Sequence, residues 1–400
     1  MRLKNIKIIV GITGSIAAYK AAILLRLLIK EGAEVQVVIT PSGKEFITPL
    51  TLSAISGKPV VSEFFSSKDG TWHSHVDLGL WADVMIIAPA TASTIGKMAC
   101  GIADNMLITT YLSAKCPVFI APAMDIDMYR HSSTVKNINT LKEYGNIIIE
   151  PGEGELASGL TGKGRLQEPE SIVNIVADYL SRKKKLLNKK FLVSAGPTYE
   201  MIDPVRFIGN CSSGKMGFAV AEELAFCGAE VVLITGPVQI SASSPNIKTV
   251  KIESAEEMYN ECLRYFPECD GAVMAAAVSD FTPVNVESQK TKRTENEIVI
   301  SFKPTADIAA KLGKIKREGQ LLVGFALESS NEIENAKSKL TKKNFDFIVL
   351  NSLNDPGAGF NFDTNKITII GNDNKTHFFE LKSKREAAAD IVEKIYSLIR

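Results

Sequence analysis

One pattern occurs twice in this chain and constrains its fold. Residues 6–12 read as a buried strand, 13–15 as a turn, and 16–30 as a helix with Ile23, Leu24, Leu27 and Leu28 on one face. Gly32-Ala33-Glu34-Val35 then opens a strand over 35–40. In the second half, a strand over 191–195, the turn Gly196-Pro197-Thr198 and a helix over 218–226 lead to Gly228-Ala229-Glu230-Val231 and a strand over 231–235. Two strands joined through a helix make a parallel pair, because parallel neighbours need a crossover between them. The expected fold is therefore α/β, with two tandem doubly wound, Rossmann-like domains.

Further strands are expected near 84–88, 118–121 and 147–150, and near 271–275, 321–326 and 347–351. A hairpin over 366–370 and 376–381 is antiparallel in character and need not join the parallel sheet, and a helix over 383–398 closes the chain. The basic run from Arg182 to Lys190 reads as a solvated linker after the helix 169–180, in preference to a nucleic-acid patch. Domains are expected over 1–181 and 190–400, with 182–189 between them.

At 400 residues the chain exceeds one ordinary core. Its 46 Lys and Arg against 45 Asp and Glu argue against a general nucleic-acid or anionic-membrane binder. No apolar run is long enough for a membrane span. The six cysteines form no C-x-x-C pair and only four histidines accompany them, which disfavours structural zinc and a disulfide framework and points to a reducing cytosol. Residues 1–18 have the look of a secretory leader, but the internal copy of the same pattern favours a strand and helix there.

Ligands of open parallel sheets sit beyond the carboxyl ends of strands. Three first-half segments meet this condition: Gly11-Ile12-Thr13-Gly14-Ser15, Ala88-Pro89-Ala90-Thr91-Ala92-Ser93-Thr94 and Ala121-Pro122-Ala123-Met124-Asp125. Their hydroxyls and free N–H groups suit a phosphate and a polar ring edge. The G-x-G-x-x-G fingerprint is absent, which disfavours a nicotinamide oxidoreductase. His75 gains interest only because an imidazole takes a proton near neutral pH. In the second half, Gly209-Asn210-Cys211-Ser212-Ser213-Gly214-Lys215-Met216-Gly217 opens a helix with small residues and a lysine, a setting for an anion.

With these residues on the page, the first half resembles the homo-oligomeric flavin-containing cysteine decarboxylases, over about residues 5–180. Pro89–Thr94 matches that family's Pro-Ala-Ser-Ala-Asn-Thr, and Pro122–Asp125 its Pro-Ala-Met-Asn. The resemblance implies FMN held by Gly14, Ser15, Thr40, Pro89, Thr91, Ser93, Thr94 and Met124, with His75 as the catalytic base. It implies a substrate flap at 154–159 and 162–165. In the family, oxidation of the thiol-bearing carbon to a thioaldehyde supplies the sink for the electrons left by CO₂. Two positions depart. Asp125 stands where the family has an Asn for the substrate carboxylate, and Ser158 where it has a proton-donating Cys. A serine hydroxyl is a far weaker acid than a thiol. One expectation is that Asp125, desolvated and protonated, takes over the donor's part.

The second half resembles phosphopantothenate–cysteine ligase over about residues 190–400, on Ala195–Thr198, Asp203–Arg206, Asn210 with Ser212–Gly217, Ala275–Phe281, Lys290, Thr305–Ile308, Gly324–Glu328, Lys339 and Lys343. Together the halves resemble the fused bacterial enzymes of coenzyme A biosynthesis. The resemblance implies CTP as co-substrate with Mg²⁺, protein ligands to the metal being unknown. Nucleotide contacts are implied at Ala275, Ala276, Asp280, Lys290, Thr305, Ala306, Asp307, Ile308, Phe325, Lys339 and Lys343. Asn210 is expected to donate to the acyl phosphate, and Lys290 to act from the polar segment 287–297. Cys211 replaces a common histidine and is assigned no role. The family's trimeric flavin domains and dimeric ligase domains imply a homo-oligomer that closes as a dodecamer, in the cytoplasm, with small-molecule substrates and no nucleic-acid or membrane partner. A ligase whose flavin half is only a scaffold or regulator remains the alternative, because of Asp125 and Ser158.

Overall fold

The computed structural model describes residues 1–65, 72–292, 298–328, 331–352, 357, 359, 362–373 and 375–399. Part of the expected segment 287–297 thus lies outside the described residues. The chain divides into two compact units, 1–180 and 181–400.

The first unit holds a five-stranded sheet in the order Glu34–Ile39, Lys7–Ile12, Val84–Ala90, Val118–Pro122, Ile147–Ile148. All four pairings are parallel. The order runs outward in both directions from Lys7–Ile12 and Val84–Ala90, so the chain reverses its winding there and opens a crevice at their carboxyl ends. The near-continuous apolar strands follow from burial on both faces. Ile8, Val10 and Ile12 pack with Leu24, Leu25 and Leu28 of the helix Tyr19–Lys30 and with Ile172 and Val176. Ile9, Met85 and Ile87 face the other way, onto Ile95, Met98 and Leu107. Gly152–Glu155 and Thr161–Arg165 pair as an antiparallel hairpin at the expected flap.

In the second unit eight strands form one sheet: Ile247–Lys251, Glu230–Thr235, Lys190–Ala195, Gly271–Met274, Leu321–Glu328, Phe347–Ser352, Ile367–Gly371 and Thr376–Phe378. The first six are parallel and the last two antiparallel. The C-terminal hairpin therefore joins the sheet, pairing Ile367–Gly371 with Phe347–Ser352 and covering an edge that would otherwise be open. Phe191, Val193 and Ala195 pack on Phe218, Leu224 and Ile391, while Leu192, Val232 and Ile234 pack on Met258, Cys262 and Leu312. The basic run 182–190 is not wholly solvated: Leu186 is buried in this core and its N–H reaches the Cys227 carbonyl at 2.9 Å.

The helix Lys215–Phe226 starts three residues earlier than its apolar pattern. Its N-cap, Gly214, has φ +76°, a left-handed conformation suited to glycine, and no side chain caps the helix. Gly217 lies so close to Ala195 that an added Cβ would come within 2.6 Å of the alanine methyl. The helix start is thereby drawn onto the end of the strand Lys190–Ala195.

Candidate functional site

In the first unit a cavity of about 430 Å³ opens at the carboxyl ends of the strands, a size suited to a cofactor. Gly14, Ser15, Thr40, Thr91, Ser93, Thr94 and Met124 all line it. Several of the hydroxyls are helix caps. The Ser15 oxygen accepts from the Ala17 N–H, Thr40 from Gly43 and Thr91 from Thr94. The Ser15 and Thr40 hydroxyls accept through their oxygens and still carry a proton to donate, whereas Thr91 gives its proton to the Thr94 hydroxyl at 3.1 Å. Pro89 stands behind the wall, where its carbonyl accepts from the Thr13 hydroxyl at 2.7 Å. Hydroxyls, helix starts and a methionine around a crevice of this size fit a flavin mononucleotide's phosphate and ring. Lys97, paired with Asp104, and Asn105 also line the cavity and went unnoticed in the sequence.

Three more expected residues are not in that lining. His75 begins the helix His75–Trp81, edge-on to Phe64, and its Nδ1 is buried with no hydrogen-bond partner. Asp125 caps the short helix Ile126–Arg130. Ser158, on the hairpin, stands beside Asp125, and its hydroxyl leads the Asp127 and Ile126 N–H groups in holding the carboxyl below the usual aspartate range. The expectation of a protonated Asp125 is thus corrected: accepted hydrogen bonds stabilise the charged form. Both departures from the family pattern meet in one contact.

The second unit has a cleft of about 520 Å³. Ala275, Ala276, Asp280, Thr305, Ala306, Asp307, Ile308, Phe325, Lys339 and Lys343 all line it, together with Ser212, Ser213 and Gly214 of the helix-opening loop. Thr305 closes one wall, its hydroxyl donating to the Ser279 carbonyl at 2.6 Å and its N–H to Asp280 at 3.0 Å. Lys339 pairs with Glu328 at 2.7 Å and Lys343 with Asp307 at 3.0 Å. Burial works to raise the Asp307 carboxyl, but the Ala310 N–H and the Lys343 ammonium outweigh it and keep the group below its ordinary value.

Asn210 and Lys290 are not in the cleft's lining. The Asn210 amide donates to the Ala277 and Val278 carbonyls, both at 3.0 Å. Both amide protons are thus engaged in bracing the wall. Lys290 is exposed on the segment next to residues 293–297. Cys211 is exposed.

The sequence reading missed Lys384 and Asn365, which line the same cleft. Lys384 is buried and donates to the Gly359 and Phe362 carbonyls at 3.1 and 2.6 Å. Burial, and then the Lys215 ammonium, push its own ammonium below the usual lysine value. Only three-dimensional packing brings Lys384 to the cleft, and no motif marks it. Among the described residues, no group of three or more His, Cys, Asp or Glu is arranged to hold a metal, and no helix is long and apolar enough to cross a membrane.

Residues 1–181 match the family model described as Flavoprotein, and residues 186–398 match the DNA/pantothenate metabolism flavoprotein C-terminal domain. The chain is 58% identical over 357 residues, 88% of its length and 99% of the relative's, to a Cysteine/Cysteine sulfinic acid decarboxylase from an unknown prokaryotic organism. It is 42% identical over 398 residues to the Coenzyme A biosynthesis bifunctional protein CoaBC of Bacillus subtilis (strain 168), covering 99% of this chain and 98% of that one. Identity to the protein of the same name from Haemophilus influenzae is 42% over 395 residues, with the same two coverages.

Proposed function

The chain belongs to the family of coenzyme A biosynthesis bifunctional flavoproteins, and from that premise we propose how its two sites divide the work. The second unit joins 4'-phosphopantothenate to cysteine, and the first decarboxylates the resulting phosphopantothenoylcysteine to 4'-phosphopantetheine. The observation that carries this reading is the lining of one cleft by ten of the residues named for the nucleotide.

A carboxylate resists attack by an amine until one of its oxygens becomes a leaving group. In the second unit the phosphopantothenate carboxylate attacks the α-phosphorus of CTP, pyrophosphate leaves, and an acyl-cytidylate forms. The cysteine amine then attacks the acyl carbon and expels CMP. Lys339 and Lys343 exchange Glu328 and Asp307 for phosphate oxygens and stabilise charge there as point cations. Asp280 and Phe325 frame the base. Ser212 to Gly214, at an uncapped helix start, add N–H groups for phosphate. Lys290 reaches the reacting groups from its exposed segment, and Asn210 contacts the acyl-cytidylate only after re-aiming its amide. Mg²⁺, brought in with the nucleotide rather than held by a protein cage, would neutralise phosphate charge beside Lys339 and Lys343.

In the first unit, FMN supplies the two-electron oxidation and re-reduction that make decarboxylation possible. Gly14, Ser15, Thr40, Pro89, Thr91, Ser93, Thr94 and Met124 hold and orient it at the crevice. His75 accepts the proton lost on oxidation; since it lies apart from the cavity lining within one chain, a neighbouring copy completes the site in the proposed trimer. Ile16, Leu50 and Leu80 are well exposed on this unit, in keeping with a covered face. Trimeric flavin units and dimeric ligase units give the proposed dodecamer, located in the cytoplasm.

Purified protein supplied with phosphopantothenate, cysteine, CTP and Mg²⁺ is expected to release CO₂ and form phosphopantetheine. Accumulation of phosphopantothenoylcysteine without CO₂ would leave only the ligase. CO₂ from free cysteine without CTP would instead favour the activity named for the 58% identical relative.

A further inference from the structure

Asp203 is fully buried, and its carboxylate accepts four hydrogen bonds. One oxygen takes the N–H groups of Val205 and Arg206 at 2.8 and 2.9 Å. The other takes the Arg206 guanidinium at 3.0 Å and the Thr291 N–H at 3.2 Å. The first pair of bonds is what any aspartate does to close a tight turn. The second pair does more, because it ties that turn to a segment far along the chain. The Arg206 guanidinium also donates to the Thr291 carbonyl at 3.1 Å, so Thr291 is held through both its N–H and its C=O. The same segment is clipped at its other end, where the Glu287 N–H donates to the Ile202 carbonyl at 3.0 Å. Lys290 stands between the two clips, directly beside the second.

We propose that Asp203, with Arg206, is a positioning residue for Lys290: it fixes the backbone next to the lysine and so sets where the ammonium reaches during ligation. The inference rests on the assignment of Lys290 to the reacting groups. A carboxylate is needed because it presents two oxygens to four donors and carries no N–H. An asparagine in its place would turn two of its own N–H groups toward the Thr291 N–H and the guanidinium. A fully buried charge is tolerated only where it is paired and hydrogen-bonded throughout, and this one is. The pairing reaches beyond the turn to a single distant segment, so its use lies there.

The test is a double-mutant cycle on the full chain, reading ligation with phosphopantothenate, cysteine and CTP. Asp203→Asn is expected to lower kcat about 10- to 100-fold while KM for CTP moves by less than about threefold, as a displaced but intact catalytic group would. Placed on Lys290→Gln, the same change is expected to add less than about a twofold further loss, since residues acting as one unit are not additive. An equal loss in both backgrounds overturns the positioning role, because damage to the fold does not depend on the lysine. An unchanged rate for Lys290→Gln alone overturns the lysine assignment itself. Should Asp203→Asn fail to fold, Arg206→Met removes the guanidinium from both Asp203 and the Thr291 carbonyl and runs through the same cycle, with the same two outcomes deciding.

Discussion

Thr13 and Thr91 meet across the winding reversal of the first unit, the Thr13 hydroxyl oxygen accepting the Thr91 N–H at 3.1 Å. The same hydroxyl donates to the Pro89 carbonyl at 2.7 Å. One buried side chain thus joins the loops after two neighbouring strands, and Thr91 in turn caps the helix that lines the FMN cavity. Thr13→Val keeps the shape and removes both bonds. It is expected to destabilise the protein by about 1–3 kcal/mol, the usual cost of leaving buried polar groups unsatisfied. FMN release on dilution should be faster, read by flavin fluorescence alongside a thermal melt.

The Ser158–Asp125 contact makes a specific demand on decarboxylation. A thiol is a better proton donor than a serine hydroxyl. Ser158→Cys is therefore expected to speed the final protonation step severalfold in single-turnover product formation. An unaltered rate would place the donor elsewhere.

Asp125 has a folded pKa held below its ordinary value of about 3.9. The group is then ionised across neutral pH, and any stability it lends is lost only as pH falls through that lowered value. In the proposed decarboxylation Asp125→Asn removes a like charge set against the substrate carboxylate, and KM for phosphopantothenoylcysteine is expected to fall. The wild-type to variant ratio of kcat/KM should stay constant between about pH 6 and 8. A ratio that titrates in that window would mean the carboxyl is protonated after all.

Lys343 and Asp307 face each other at the cleft, with Asp307 also capping the helix Ile308–Ile315. Lys343→Ala removes the proposed phosphate contact and leaves the cap intact. The expected result is a rise in KM for CTP of roughly tenfold with little loss of stability, since half-exposed pairs contribute about 0–1 kcal/mol. Asp307→Ala should instead lower the melting temperature, because a lost N-cap costs about 0.5–2 kcal/mol.

Gly217→Ala places a methyl where the helix start touches Ala195. Overpacking of this kind costs about 1–3 kcal/mol. Titration with CTP should show weakened binding beyond the change in melting temperature, because the displaced helix start carries the loop Ser212–Gly214.

What the sequence determined by itself was everything governed by local periodicity and short spacing. Apolar runs bounded by glycine turns marked Lys7–Ile12, Glu34–Ile39, Lys190–Ala195 and Glu230–Thr235 as parallel strands. Placement at strand ends and helix starts, read with the family resemblance, marked most of both cavity linings. Tertiary structure alone decided how polar groups are paired across long separations. It turned the Asn210 amide onto Ala277 and Val278, joined Ser158 to Asp125, carried Lys384 to a cleft no motif associates with it, and set the C-terminal hairpin on a sheet edge. The reason is physical: burial of apolar side chains follows a period of two or 3.6 that one segment carries alone, whereas a buried donor or acceptor takes whichever partner the packed chain brings within about 3 Å.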